Sequence, residues 1–381
     1  MENHNWTVGG QGYNGSNLAI EGNSAAPFIN SLVNGTSSIS PNVAYASNYY
    51  ASGTGVHPSE PNYMWAEAAT NFVPNSSAGA VATTAGTING TVITNDNAPG
   101  TTNTFAAGTP HLTQQLNSAG ISWQNFQEDY QISSNTVATG GSPLVSKSGT
   151  SATVTNPYYN TNQYNYAAKH NPMAFFADTQ TQNVNTFDQL RSDISSDTGF
   201  GKYNWITPNQ YNDQHSSLST SFTYHSTVYA ANTDQEAVAI GDNFLSTIIP
   251  QLMTTSAYKN NGAIIIWNDE TEGGDSSAYT NMEIVISNLA HPNVNGLPYA
   301  SNVALNHASD IKTVEELNGL GTFSNPIENT ATNTTGGYNT VAGSNDLADL
   351  FAPAAVPEPS LVPPLAIVVI GAVGLLKKRL C

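Results

Sequence analysis

Basic residues are scarce in this chain: 9 Lys+Arg stand against 27 Asp+Glu, a formal charge of -18 over 381 residues. Nucleic-acid binding rests on neutralising phosphates with basic side chains, so this balance argues against such a partner. It also removes long-range attraction for anionic substrates, and phosphate chemistry here needs a metal ion or local donors to offset repulsion. Cysteine is all but missing, the one thiol being Cys381 at the end of the chain. One thiol forms no internal disulfide, so the fold stands on its core. A terminal residue behind a basic tail also has no structured surroundings to make it catalytic. Charged residues of both signs are only 9%, and Asn, Ser, Thr, Gln and Gly supply the polarity. Such a surface suits an extracytoplasmic protein, yet residues 1–20 lack the basic start and apolar run of a signal peptide.

The other end reads VPEPSLVPPLAIVVIGAVGLLKKRLC. Leu361 to Leu376 is uncharged and mostly apolar, slightly short of the roughly 20 residues that span a bilayer core. Lys377, Lys378 and Arg379 should stay cytoplasmic and leave the body outside. A plain tail anchor is one reading. The order Pro357-Glu358-Pro359, apolar segment, basic end resembles the PEP-CTERM sorting signal. That resemblance implies export to the cell envelope or exterior of a Gram-negative bacterium. It also implies membrane association through the tail until an exosortase-type enzyme processes it. Export without a signal peptide leads to the expectation that the chain is truncated upstream, Met1 having been internal.

Between the ends, short apolar runs alternate with helical patterns. GAIIIW (262–267) is a buried-strand pattern, and 282–287, 203–208 and 121–126 read as three more strands. The apolar spacing over 234–253 predicts a helix that Pro250 kinks or ends, with others at 310–317 and 111–119. This alternation predicts an α/β fold around a mainly parallel sheet, its functional residues at the carboxyl ends of the strands. Two stretches rich in Gly, Ser, Thr and Asn, 73–109 and 322–346, read as surface excursions and a stalk. The expected division is a catalytic domain over 1–322, a polar linker over 323–355 and the tail over 356–381.

Four features could carry chemistry. In HPSEPNY (57–63) Ser59 sits at a Pro-flanked turn before a helix, where the helix end favours an anion. In WNDETEGGD, Asp269 and Glu270 are adjacent carboxylates behind a buried strand, with Glu272 and Asp275 nearby. Adjacent acids raise each other's proton affinity unless a cation intervenes. KHNP (169–172) and TPNQYNDQH (207–215) each place a histidine in a loop. Taken singly, each has a plainer reading: a turn serine, an acidic surface loop, two solvent-exposed histidines.

Together with ENH at 2–4 and NHASDIKTVEELNGL at 306–320, these motifs stand in an order that resembles the phosphoesterase family. That family holds acid phosphatases and bacterial phospholipases C, within the alkaline phosphatase superfamily. The resemblance implies a three-layer sandwich whose first core strand ends in the Glu-Asn pair, so that strand would be missing here. It implies Ser59 as nucleophile, with His170 and His215 contacting the phosphoryl oxygens or protonating the leaving group. Asn62, Lys169 and His57 would bind substrate, and Asp213 would support them. Glu2, Asn3, Asp269 and Glu270, completed by Ser59, would hold one divalent cation. An all-oxygen set favours Ca²⁺, Mg²⁺ or Mn²⁺ while still accepting Zn²⁺. A protonated histidine would suit an acid phosphatase. The expected activity is phosphomonoester hydrolysis through a phosphoserine. A phospholipase C-like phosphodiesterase is the alternative, although that branch usually carries an Arg where this chain has ENHNW. A non-catalytic surface or matrix protein on the same fold is a third reading.

Overall fold

The computed structural model describes residues 1–7, 19–50, 58–70, 96, 98–99, 104–134, 141–271, 279–323, 341–352 and 366–370. Within them the strands are β1 (Val43–Ala46), β2 (Trp123–Gln127), β3 (Lys147–Thr150), β4 (Gln163–Tyr166), β5 (Val184–Thr186) and β6 (Tyr203–Thr207). These are followed by β7 (Phe222–Tyr224), β8 (Thr227–Tyr229), β9 (Gly262–Trp267), β10 (Glu283–Ser287), β11 (Tyr299–Ser301) and β12 (Ala366–Ile370). The helices are α1 (Pro27–Val33), α2 (Ser59–Ala68), α3 (Leu112–Ser118), α4 (Phe187–Ser196), α5 (Asp234–Leu252), α6 (Ser256–Lys259) and α7 (His307–Leu317).

Eight strands form one sheet in the order β11-β1-β10-β9-β12-β6-β2-β5, while β3-β4 and β7-β8 are separate hairpins. All pairings in the large sheet are parallel except the two made by β10, with β1 and with β9. The expected α/β architecture with a mainly parallel sheet is therefore present. The direction of β10 follows from its connection: Glu283 pairs with Trp267, so the chain returns from the carboxyl end of β9 straight into its neighbour. All six residues of β9 are buried, as its unbroken apolar run requires. Each of its isoleucines contributes about 1.5–3 kcal/mol by leaving water.

The helices follow their local chemistry. The Thr233 hydroxyl caps the first turn of α5 by accepting from the Glu236 N–H. Pro250 lies inside α5 two residues before its end, where the lost N–H costs little continuation. α3 stops ahead of Gly120, which takes the left-handed φ of +67° that a side chain resists. Asp242 of α5 accepts from the N–H groups of Phe28 and Ile29 at 2.8 Å each, which ties α1 to α5.

Two features concern the ends. The Met1 amino group donates to the Trp267 carbonyl at 2.9 Å, and the Asp269 N–H donates to the Met1 carbonyl at 3.2 Å. Met1 thus runs beside the end of β9, where the resemblance puts the last residue of the first core strand. The place between β9 and β6 is taken by β12, whose residues fall inside the segment expected to be a membrane-length tail. No helix among the described residues is long and apolar enough to cross a membrane. Most of 73–109 and 322–346, together with His57, Glu272 and Asp275, lies outside the described residues.

Candidate active site

Residues from distant parts of the chain meet at the carboxyl edge of the large sheet. Ser59 is the first residue of α2, and its side chain is buried. Its Oγ lies 3.1 Å from Glu2 Oε2 and 3.2 Å from Glu270 Oε1. A hydroxyl has one hydrogen, so it serves one carboxylate at a time and faces the other as oxygen to oxygen. Asn3, at a φ of 52° that asparagine tolerates better than most residues, donates its N–H to Asp269 Oδ1 at 3.2 Å. The predicted group Glu2, Asn3, Ser59, Asp269 and Glu270 is therefore brought together. Asn62, one turn into α2, points its amide back at the Pro58 carbonyl at 3.4 Å.

The second half of the site comes from the segment between β4 and β5 and from the loop after β6. His170 closes a short 3₁₀ turn and is buried, with Nε2 3.4 Å from Glu2 Oε1 and Nδ1 3.3 Å from Asp213 Oδ2. Asp213 in turn accepts the Glu2 N–H through its carbonyl at 2.8 Å and the His215 N–H through Oδ1 at 2.8 Å. The rings of His170 and His215 are 5.9 Å apart. Lys169 reaches Asp96 Oδ2 at 2.6 Å. His4 donates from Nδ1 to the Glu2 carbonyl at 2.8 Å, and its Nε2 lies 3.1 Å from Asp234 Oδ1. His307 is buried edge-on against Trp267, and burial pushes its pKa down to about 3.

The titratable groups of the site shift in opposite directions. Burial first, then the charge of Lys169 and the neighbouring histidine, lowers His170 well below its ordinary value. Burial first, then Lys169, lowers His215 to about 3. Both shifts run against protonation of these rings. The carboxylates move the other way. Burial and then Asp269 and Asp213 raise Glu2 well above its ordinary value, and burial raises Asp213 likewise. Lys169 is raised, because Glu2 and Asp96 outweigh the opposing cost of its burial.

Four buried carboxylates thus crowd a site in which Lys169 is the side-chain cation among the described residues. Asp269 Oδ2 is buried without a hydrogen-bond partner, and Asp213 Oδ2 meets the His170 ring at 3.3 Å outside hydrogen-bond geometry. Buried acids in this state need either a proton or a metal ion, and the donor set fits a divalent cation. Glu2, His170 and Asp213 form a second, overlapping group, with ligand atoms within 4.8 Å of one another.

Sequence reasoning gave no role to Tyr63. Its hydroxyl donates to Glu2 Oε1, and its ring stacks on His170 at 4.9 Å and 16°. The available signal was its spacing, four residues after Ser59 on one helix face.

A buried serine among carboxylates at the head of a helix, faced by a lysine and two histidines, suits the hydrolysis of phosphoric ester bonds. The Phosphoesterase family model matches residues 23–284, and the chain belongs to that family. Ser59, Lys169, His170, His215, Asp269 and Glu270 fall inside the match, while Glu2 and Asn3 precede it. The phosphatidylinositol-3-phosphatase of Mycobacterium tuberculosis (strain ATCC 25618 / H37Rv) is 24% identical over 307 residues, covering 81% of this chain and 74% of that protein. A protein in the alkaline phosphatase superfamily from Vibrio parahaemolyticus superposes over 77% of this chain with a TM-score of 0.40 and 12% identity. This chain spans 64% of that protein's length.

Proposed function

We propose that this protein is a metal-dependent phosphomonoesterase that works through a phosphoserine at Ser59. The observation that carries this is Ser59 Oγ standing between two carboxylates of a metal-competent cluster at the start of α2. A divalent ion held by Glu2, Asp269 and Glu270 would lower the hydroxyl's pKa and screen the charge of the phosphoryl group. Asn3 belongs to the same set through its backbone contact with Asp269. We favour this oxygen-rich set over the group with His170, because Ser59 Oγ lies directly against Glu2 and Glu270.

Ser59 Oγ attacks phosphorus in line, forms the new P–O bond and gives up its proton to the surrounding carboxylates. The P–O bond to the alcohol breaks on the opposite side. His170 and His215 would pass a proton to the departing alkoxide, and a phosphoryl dianion beside them would favour the imidazolium. Asn62 and Lys169 hold phosphoryl oxygens, and His57 is assigned to the same side on its motif alone. Water then attacks the phosphoserine, releasing phosphate and restoring the hydroxyl.

Similarity to a phosphatidylinositol-3-phosphatase favours a phosphatase over the phospholipase C-like alternative. The polar surface and the Pro-Glu-Pro tail support export and exosortase processing, with the strand β12 as the competing placement of the same segment. After stripping with chelator, activity on p-nitrophenyl phosphate should vanish and return with Mg²⁺, Mn²⁺, Ca²⁺ or Zn²⁺. Faster hydrolysis of bis-p-nitrophenyl phosphate or phosphatidylcholine would move the assignment to a diesterase, and no activity on any of the three would support the non-catalytic reading.

Tyr63 gives a second test. Its phenol holds the orientation of Glu2, and outer contacts of this kind tune a ligand carboxylate by about 10–100-fold in metal affinity. Tyr63→Phe keeps the ring stack on His170 and should weaken Mn²⁺ binding by about tenfold in calorimetry or EPR titration. Unchanged affinity would remove the phenol from the site.

A further inference from the structure

We propose that the carboxylate of Asp96 is an intramolecular stand-in for the substrate phosphoryl group, seated beside Ser59 and displaced whenever a phosphate ester binds. The inference rests on the proposed function and adds a residue that sets the affinity of the same site. Asp96 comes from the polar stretch between α2 and α3, far along the chain from the groups it meets. Its Oδ1 accepts the Glu60 N–H at 3.2 Å, and its Oδ2 takes the Lys169 ammonium at 2.6 Å. It also lies close enough to His215 for its charge to oppose the lowering of that ring.

Those partners are what an anion on Ser59 would need. The Glu60 N–H is one of the first donors of α2 that no helical carbonyl can satisfy, and it follows the proposed nucleophile directly. Lys169 is the side-chain cation of the site, and its side chain is only 15% exposed, against 35% for Asp96. A cation so enclosed has few other places to send its charge. A phosphoryl group carried on Ser59 Oγ would reach the same N–H and the same ammonium, and both cannot be served while a carboxylate bridges them.

Asp96 therefore competes with phosphate in every form: it raises the apparent dissociation constant by the fraction of time it occupies the cradle. Both substrate and product should bind more weakly than the bare cradle allows, which shortens the residence of released phosphate. A tether made only to orient Lys169 predicts the reverse, since loosening it would weaken phosphate.

The experiment measures inorganic phosphate binding by calorimetry to metal-loaded full chain carrying Ser59→Ala, alone and with Asp96→Asn. Phosphate inhibition of p-nitrophenyl phosphate turnover is measured on the chain with Ser59 intact, with and without Asp96→Asn. For a partly exposed pair, Asp96→Asn should tighten phosphate binding and lower its inhibition constant by about three- to tenfold. Phosphate binding that is unchanged or weaker in Asp96→Asn overturns the inference and leaves the phosphatase reading standing. No phosphate binding to any of these proteins, with no turnover, overturns both. Asp96 is a third exposed and the replacement is isosteric, so matching thermal melts verify that the variants are folded.

Discussion

Ser59→Ala should lower kcat on p-nitrophenyl phosphate by about three orders of magnitude or more, the scale on which removal of a covalent nucleophile acts. The hydroxyl is the proposed attacking group: its Oγ is flanked by Glu2 and Glu270 and leads α2. Substrate binding should be largely kept, because the Glu60 N–H, Asn62 and Lys169 remain. The change should therefore appear in kcat with KM little altered. Quenching the unaltered protein with acid during turnover should trap one phosphoryl group on the peptide containing Ser59, and the alanine variant should trap none. Normal turnover by Ser59→Ala would reject the assignment and leave Glu2, Asp269 and Glu270 as a metal cluster without a known reaction.

Several of these features were legible in the chain because they are local. The run GAIIIW announces a buried strand, and the acids after it must then stand at the sheet's carboxyl edge, where Asp269 and Glu270 are found. α5 declares itself by the spacing of its apolar residues and by Thr233 as its cap. The rest depended on what lies far away. β5 and β11 are three residues each and have no pattern of their own. The direction of β10 is set by its connection to β9, not by its composition. Burial decided the histidines: KHNP and TPNQYNDQH place His170 and His215 in loops, but their lowered pKa follows from burial among neighbours that the motifs do not display. The segment around 366–370 shows how an apolar run suits either a bilayer or a sheet, since periodicity cannot separate them. Tyr63 and Asp96 were missed for the same reason. Their partners, Glu2 and Lys169, are 61 and 73 residues distant.

Replacing His111 should cost about 3–5 kcal/mol of stability, as expected when one partner of a buried ion pair is lost. His111 is fully buried between two acids, with Nδ1 2.7 Å from Glu67 Oε1 and Nε2 3.1 Å from Asp178 Oδ1, and its ring stacks on Phe176 at 3.9 Å. Glu67 also takes the Thr113 N–H at 2.8 Å, and Asp178 takes the Gly108 N–H at 2.9 Å. Burial alone would lower the histidine, but the hydrogen bonds it donates to Asp178 and Glu67 hold its pKa above the ordinary 6.5. Burial opposes the shift of Asp178 as well, and its bonds to His111 and Gly108 hold it below the ordinary 3.8. A raised histidine contributes stability that is fully present below 6.5 and lost as pH climbs through its folded value. A lowered carboxylate contributes stability present above 3.8 and lost as pH falls through its folded value. The triad should therefore be strongest between these limits and weaken on the alkaline side. Urea unfolding of the unaltered protein at pH 5.5, 7 and 8.5 should show that decline, and His111→Gln should start lower and lose the slope. Glu67 stands at the far end of α2 from Ser59, so the same variant should also loosen the helix that aims the nucleophile and lower kcat without changing metal affinity. Equal stability and an equal pH slope in His111→Gln would show that the triad does not hold α2 in place.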